Sequence, residues 1–423
     1  MKVCIHRGSK EIGGTCVELE AQGQRMVLDV GVPLDVKEPD QFPLHPIKGF
    51  EQPDPSLLGV VISHPHQDHY GLAYRLPEQT SFAIGQGAAS VLEAAGVFTP
   101  AGLTLTNVTH LVDRTPFTWG PFTITPYRVD HSAFDSYAVL VEADGTGLFY
   151  SGDLRAHGRM GALFQELLRC PPAPVDVLLM EGTTLGRMQP EGGFPTEAEL
   201  EARFVSLFNE TKGMPLVWCS GQNIDRIVSI IRACIKTQRT LILDMYTAHI
   251  LRATGNEAIL GACGKYARVF LPAGQKRQII WKERFDVSNL YKPYRIYGDQ
   301  IAETAARSVM LFRPSMAEEL TTLGCLQGAR LIYSLWSGYL QDEKQKPFLA
   351  WLEKHQIPLD MCHTSGHASV ADLVKLRSVF PNAPLVPIHT DQPEQFETVF
   401  GNVKRCGDGE WWEVGTIRSL QHA

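Results

Sequence analysis

The stretch SHPHQDHYGL, residues 63–72, crowds His64, His66, Asp68 and His69 into six consecutive positions directly after the apolar run GVVIS. Imidazole nitrogens and carboxylate oxygens are the usual protein donors to zinc and related divalent ions. His64 and His66 lie two apart at an expected strand end, where alternate side chains point to one side, so both can reach one ion. Asp68 and His69 follow after the chain has turned and aim at a second point nearby. Four donors in so short a span therefore suggest two ions. With 14 histidines in 423 residues, three in this window are not an accident of composition.

Two ions need further donors, each at a strand end facing the same edge. RVDHSAFDSY places His131 after the strand FTITPYRV, LFYSGDLR places Asp153 after another, and LVPIHTD places His389 after a third. A carboxylate can bridge two cations, and Asp153 is the natural bridge.

The elements that must carry these residues are legible. RMVLDVG, GVVIS and VDVLLMEGTT are apolar runs that stop at polar turns, and YAVLVEADGTGLFYSGDLR reads as a hairpin turning at Asp144-Gly145. Beyond residue 194 the pattern changes. A helix opens at Thr196 with Glu199 three residues on, a capping-box pattern, and is followed by alternating strands and helices, which predicts a parallel sheet. The same rhythm returns in VADLVKLRSVF and APLVPIH. The expected divisions are 1–194, an inserted segment 195–345, and 346–423, too long a chain for one ordinary core.

Composition sets bounds. No apolar run is long enough to span a membrane, and the start, MKVCIHRGSKEIGG, lacks a signal peptide's apolar core. Nine scattered cysteines without a CxxC pair point to reduced thiols and a cytoplasmic location. The net charge of −7 argues against a nonspecific nucleic-acid coat but leaves room for a local basic groove. GQKRQIIWKERF, residues 274–285, sets Lys276, Arg277, Lys282 and Arg284 around Trp281 and is one candidate, a solvated helix face being the plainer reading.

SHPHQDHYGL resembles the HxHxDH motif of the metallo-β-lactamase fold, and RMVLDVG, DHSAFDS and SGDLR resemble the same fold's other signature segments. The alternating segment followed by TSGHAS and VPIHTD is similar to the β-CASP branch, which includes ribonuclease J and the cleavage and polyadenylation endonuclease. The fold so implied is α/β: a metallo-β-lactamase αββα sandwich with an inserted β-CASP α/β domain. The resemblance implies that His64, His66, His131 and Asp153 hold one zinc, and that Asp68, His69, Asp153 and His389 hold a second. Asp29 would orient a ligand histidine through a hydrogen bond rather than bind metal. Glu181 in LMEGTT, His367 in SGHAS and His389 match motifs A, B and C, and a histidine at motif C leans toward RNA over DNA.

Two close divalent ions suit phosphodiester hydrolysis. The expected enzyme is a zinc-dependent nuclease, manganese being an alternative metal, acting on single-stranded RNA or DNA with RNA favoured. Hydroxide between the ions would attack phosphorus, Asp68 would accept or hold its proton, and His367, oriented by Glu181, would contact the phosphate or protonate the leaving oxygen. Ser220, Asn223 and Arg226 in SGQNIDR, at an expected helix start, and Ser365 are candidate substrate contacts, with Trp336 and Tyr339 of SLWSGY as stacking candidates. The inserted segment would close over the metal face. Only 34 residues follow His389, so the further C-terminal domain of ribonuclease J is not expected. Competing readings are a small-ester, lactam or thioester hydrolase of the same fold, and a non-catalytic subunit; a homo-oligomer or partner subunit fits each of these readings.

Overall fold

The computed structural model describes residues 1–36, 38–100 and 102–419. It separates into two compact units, one formed by Met1–Leu92, Leu103–Phe194 and the chain from Gly366 onward, the other by Glu93–Gly102 and Pro195–Ser365.

The first unit is built on two sheets. One orders its strands Trp411–Glu413, Lys2–Arg7, Cys16–Ala21, Gln24–Leu28, Leu57–Val61, Phe82–Gly85 and Val108–Leu111; the other orders Leu385–Ile388, Val177–Glu181, Thr146–Tyr150, Ser136–Ala143, Phe122–Val129 and Phe117–Trp119. Alternation of side chains along each strand gives each sheet two faces. The inner faces share one core: Val3, Ile5, Val17 and Leu19 meet Phe122, Ile124, Val139 and Val177, all fully buried. The outer faces are covered in turn. Tyr127, Phe149 and Leu178 pack with Phe164 and Leu167 of helix Gly161–Arg169 and with Leu373 and Leu376 of helix Val370–Ser378. Val27, Val60 and Ile84 pack with Ala88 and Leu92 of helix Gln86–Gly96. This is the αββα sandwich. Its hairpin turns at Asp144 and Gly145, whose φ values of 50° and 70° are those of a type I′ turn, with Thr146 paired to Ala143.

The second unit has one six-stranded sheet, ordered Ala267–Phe270, Thr240–Asp244, Ser308–Leu311, Pro215–Trp218, Arg330–Tyr333 and Leu359–Met361, parallel throughout. Helix Glu197–Glu210 begins with the capping box read from the sequence: Thr196 accepts from the Glu199 amide while the Glu199 carboxylate accepts from the Thr196 amide.

The divisions differ from the expected ones in two places. The inserted unit runs to 365 rather than 345, because Phe348 and Leu352 of helix Lys346–Lys354 enter its core and strand Leu359–Met361 pairs with Arg330–Tyr333. Residues 93–102 also belong to it. Among the described residues no helix is long and apolar enough to cross a membrane.

Candidate metal centre

Each ligand candidate leaves the end of a strand in the first unit. Strand Leu57–Val61 stops just before Ser63, and the chain stays extended to His66 before turning into the short helix Gln67–Tyr70. This turn is braced from two sides by backbone hydrogen bonds: Val30 N donates to His69 O, Val32 N to Gln67 O, and Thr15 N to Asp68 O. Gly31 sits within that brace. A Cβ there would lie 1.7 Å from the Asp68 carbonyl oxygen, so only glycine lets the two segments approach.

The side chains gather into groups. His64, His66 and His131 form one, with ring centroids 4.7–5.0 Å apart and His131 Nε2 only 3.2 Å from His66 Nδ1. Asp68, His69, Asp153 and His389 form another; His69 Nε2 lies 3.2 Å from Asp153 Oδ2, and His389 Nε2 lies 3.3 Å from Asp68 Oδ2. Asp153 joins the two, since its Oδ2 is also 3.6 Å from His64 Nε2. Beside them Glu181 Oε2 meets His367 Nδ1 at 3.1 Å, and these two with Asp153 and His389 make a third cluster. The structure thus brings together all seven metal candidates and the two further residues proposed from motifs A and B.

A set of supports holds this arrangement. Asp29 is fully buried and accepts four hydrogen bonds: from Ser63 N and Ser63 Oγ at 2.7 Å, from Tyr150 OH at 2.7 Å, and from His69 Nδ1 at 2.8 Å. A His69 that donates through Nδ1 leaves Nε2 as a lone pair facing Asp153 and the ion site. Thr183 Oγ1 stands 2.9 Å from His389 Nδ1. Asp130 accepts from Arg155 Nε at 3.1 Å and from Gly158 N at 2.8 Å, a buried ion pair next to His131. Asp29 and His389 both take left-handed backbone angles, φ 59° and 51°, which cost a non-glycine residue of order 1–3 kcal/mol. Each is pinned by its own amide, Asp29 N to Val61 O and His389 N to Gly8 O.

Ser63, Tyr150, Thr183, Asp130 and Arg155 were not singled out in the sequence, although each lies within three residues of a residue that was. The available signal was a hydroxyl or a charged residue at an apolar strand's end, too common to point anywhere alone.

The electrostatics favour cations. Burial pushes the His64 and His131 imidazoles well below their usual range and His66 down to about 4, so these rings are neutral donors. Burial also opposes charge on His69, but Asp153 and Asp29 outweigh it and raise its pKa, so a cation binding Nε2 displaces the second proton while Nδ1–H stays on Asp29. On Asp68 and Asp153 burial is likewise outweighed, by His389 and His69, and both stay ionised well below the usual carboxylate range. His64 Nε2, His69 Nε2 and both Asp153 oxygens are buried without an aligned hydrogen-bond partner. A buried polar atom left so costs about 1–3 kcal/mol, and two divalent cations, one on each ligand group with Asp153 shared, would satisfy all four. The donors present fit such ions.

The substrate candidates belong to the second unit. Ser220 is exposed, in the turn after strand Pro215–Trp218. Asn223 caps helix Ile224–Thr237, its Oδ1 taken by the Arg226 amide. Arg226 is a correction: it is fully buried, its guanidinium held 3.0 Å from Glu197 and bonded to Ser334, so it fastens this unit's interior and cannot meet a phosphate. Trp336 and Tyr339 are half-exposed and pack edge to face at 5.3 Å, and Ser365 is half-buried.

Residues 27–208 match the family model described as a beta-lactamase superfamily domain. The chain is 26% identical over 255 residues to ribonuclease J of Helicobacter pylori, 22% over 253 residues to that of Mycoplasma genitalium, and 25% over 249 residues to that of a Synechocystis strain. These matches cover 56–57% of this chain but only 36–43% of the relatives, so the chain aligns with well under half of each curated relative's length. A crystal structure of a protein of unknown function from Enterococcus faecalis V583 superposes with a TM-score of 0.75 at 20% identity, covering 97% of this chain and 99% of that one.

Proposed function

We propose that this chain, a metallo-β-lactamase-fold protein of the β-CASP type, is a divalent-metal hydrolase that cuts phosphodiester bonds in single-stranded RNA. The observation that carries the reading is Asp153, a buried carboxylate shared between the His64–His66–His131 group and the Asp68–His69–His389 group, with His367 and Glu181 beside it. The ribonuclease J relatives favour RNA as the polymer.

His64, His66, His131 and Asp153 would hold one ion and Asp68, His69, Asp153 and His389 the other. Zinc and manganese both suit this mixed donor set. When bound, two such ions supply a water acidified toward neutrality and offset the charge of the phosphate. The chain's own groups do the rest. Asp68, ionised and partly open to solvent, is placed to hold the attacking water and take its proton. Burial disfavours charge on His367, but Glu181 and Asp153 outweigh it and lift its pKa to about 9, which favours the protonated ring. It can grip a phosphate oxygen and deliver a proton to the leaving oxygen. Glu181 accepts the Leu154 amide on its other oxygen, which fixes the carboxylate that aims His367.

The test is a gel assay with end-labelled single-stranded RNA and DNA of matched sequence, in zinc or manganese, with Asp68→Ala as control. Cleavage of RNA that disappears in the variant is expected. Equal cleavage by both proteins, or none of either polymer with metal bound, would overturn the reading.

A further inference from the structure

One stretch of the second unit has a charge opposite to the chain. Residues 265–297 hold eight Lys or Arg against Glu283 and Asp286, whereas the whole chain has 39 basic residues against 46 acidic ones. The stretch is also unusually rich in exposed apolar side chains: Trp281 is 76% exposed, and Ile280, Phe285, Tyr294 and Tyr297 stand out of the surface with it. Large rings left in water cost free energy and need a reason when they gather.

They stand on consecutive elements, helix Ala273–Trp281, helix Phe285–Leu290 and the turn Lys292–Tyr294, each beginning within four residues of the end of the one before. The turn Lys292–Tyr294 approaches strand Ala267–Phe270. On the first helix Arg277 and Trp281 are four apart and so share a face. Lys282 lies 5.8 Å over the Trp281 ring, and Arg295 lies 5.5 Å over that of Tyr297. Arg284 is paired with Asp286, and Lys282 donates to Gly96 O. Among the described residues Lys276, Arg277 and Lys292 are exposed and make no ion pair. Cations on flexible stems interleaved with upright rings are the elements of a surface that grips phosphates and stacks bases without reading their sequence. A protein partner would be served by the rings alone; the excess of positive charge selects a polyanion.

We propose that the surface around Arg277, Trp281, Phe285 and Tyr294 is a second contact site for single-stranded RNA, separate in composition from the metal centre. This rests on the reading that the chain acts on RNA, and adds to it a binding surface that needs no metal.

The test measures anisotropy of a fluorescent 20-nucleotide oligouridine against the full chain in EDTA, across a range of salt. Trp281→Ala is expected to weaken binding at least about fivefold, as loss of one stacked base does, while Trp281→Phe keeps most of the affinity. Lys276→Ala with Arg277→Ala should lower the slope of log affinity on log salt by about 1.4, two single-strand phosphate contacts. Unchanged affinity and slope in these variants, equal binding of an RNA duplex, or a Trp281→Ala variant that turns a dimer into monomers without weakening RNA would each overturn the proposal. Failure is separable from that of the catalytic reading: RNA cleaved normally by surface variants that bind it normally sinks only this site. Binding through Trp281 by a protein that cuts no RNA sinks only the other.

Discussion

Replacing Asp29 by asparagine keeps shape and removes charge at the point where four hydrogen bonds meet. Its Oδ2 accepts from Ser63 Oγ, Tyr150 OH and His69 Nδ1, and its Oδ1 from Ser63 N. An asparagine turned to satisfy the three donors must point its amide at Ser63 N, donor against donor across 2.7 Å with no solvent to intervene. Losing one such charged hydrogen bond costs about 1.5–3 kcal/mol. For a domain of this size that is a fall in Tm of roughly 3–12 °C. The same change weakens the grip on His69 Nδ1, and loss of such a support typically lowers metal affinity about 10–100-fold. Thermal unfolding in EDTA reads the first effect, and competition with a chelator reads the second. Tyr150→Phe is the control, since it deletes one donor and leaves the carboxylate on His69; it should cost about 1 kcal/mol and leave metal affinity nearly unchanged. Wild-type metal affinity in Asp29→Asn, or an equal loss in Tyr150→Phe, would refute the argument that Asp29 acts through His69.

Asp153→Ala removes the carboxylate shared by both ligand groups and is expected to lose bound metal, measured as metal per chain by mass spectrometry; retention of two ions would contradict the bridging role. Glu181→Gln removes the leading charge that raises the His367 pKa. In the proposed mechanism the protonated ring is the active form, so activity falls as pH rises through its pKa, and the alkaline limb of the kcat/KM profile should move to lower pH in the variant; an unmoved limb would show that His367 is not the acid. Gly31→Ala forces a methyl to within 1.7 Å of the Asp68 carbonyl. Overpacking of this kind costs about 1–3 kcal/mol, and the expected result is a lower Tm with weakened metal uptake.

The convergence of the candidate donors was largely legible in the sequence because they are rare types placed where apolar runs stop. Such runs mark strand ends, and the sandwich brings those ends to one edge. What holds the donors was not legible. Ser63 and Tyr150 converge on Asp29 from 34 and 121 positions away, and no local pattern encodes that meeting. Arg226 was misread for a related reason: an arginine at the start of a helix looks like a phosphate contact until Glu197, 29 residues earlier, is seen to claim it. The inserted unit's end was misplaced because helix Lys346–Lys354 and strand Leu359–Met361 read alike in either unit; only their packing on Arg330–Tyr333 and the core around Phe348 assigns them.

Strand Leu385–Ile388 is among the last to be made, yet it lies beside Val177–Glu181 and delivers His389 to Asp68 across 321 positions. A chain still on the ribosome therefore lacks a donor until the inserted unit and the returning segment are both complete. Pairings of such separation are also slow to form. For the proposed nuclease this imposes a delay: the growing polypeptide, tethered to its own message, is made before it can cut.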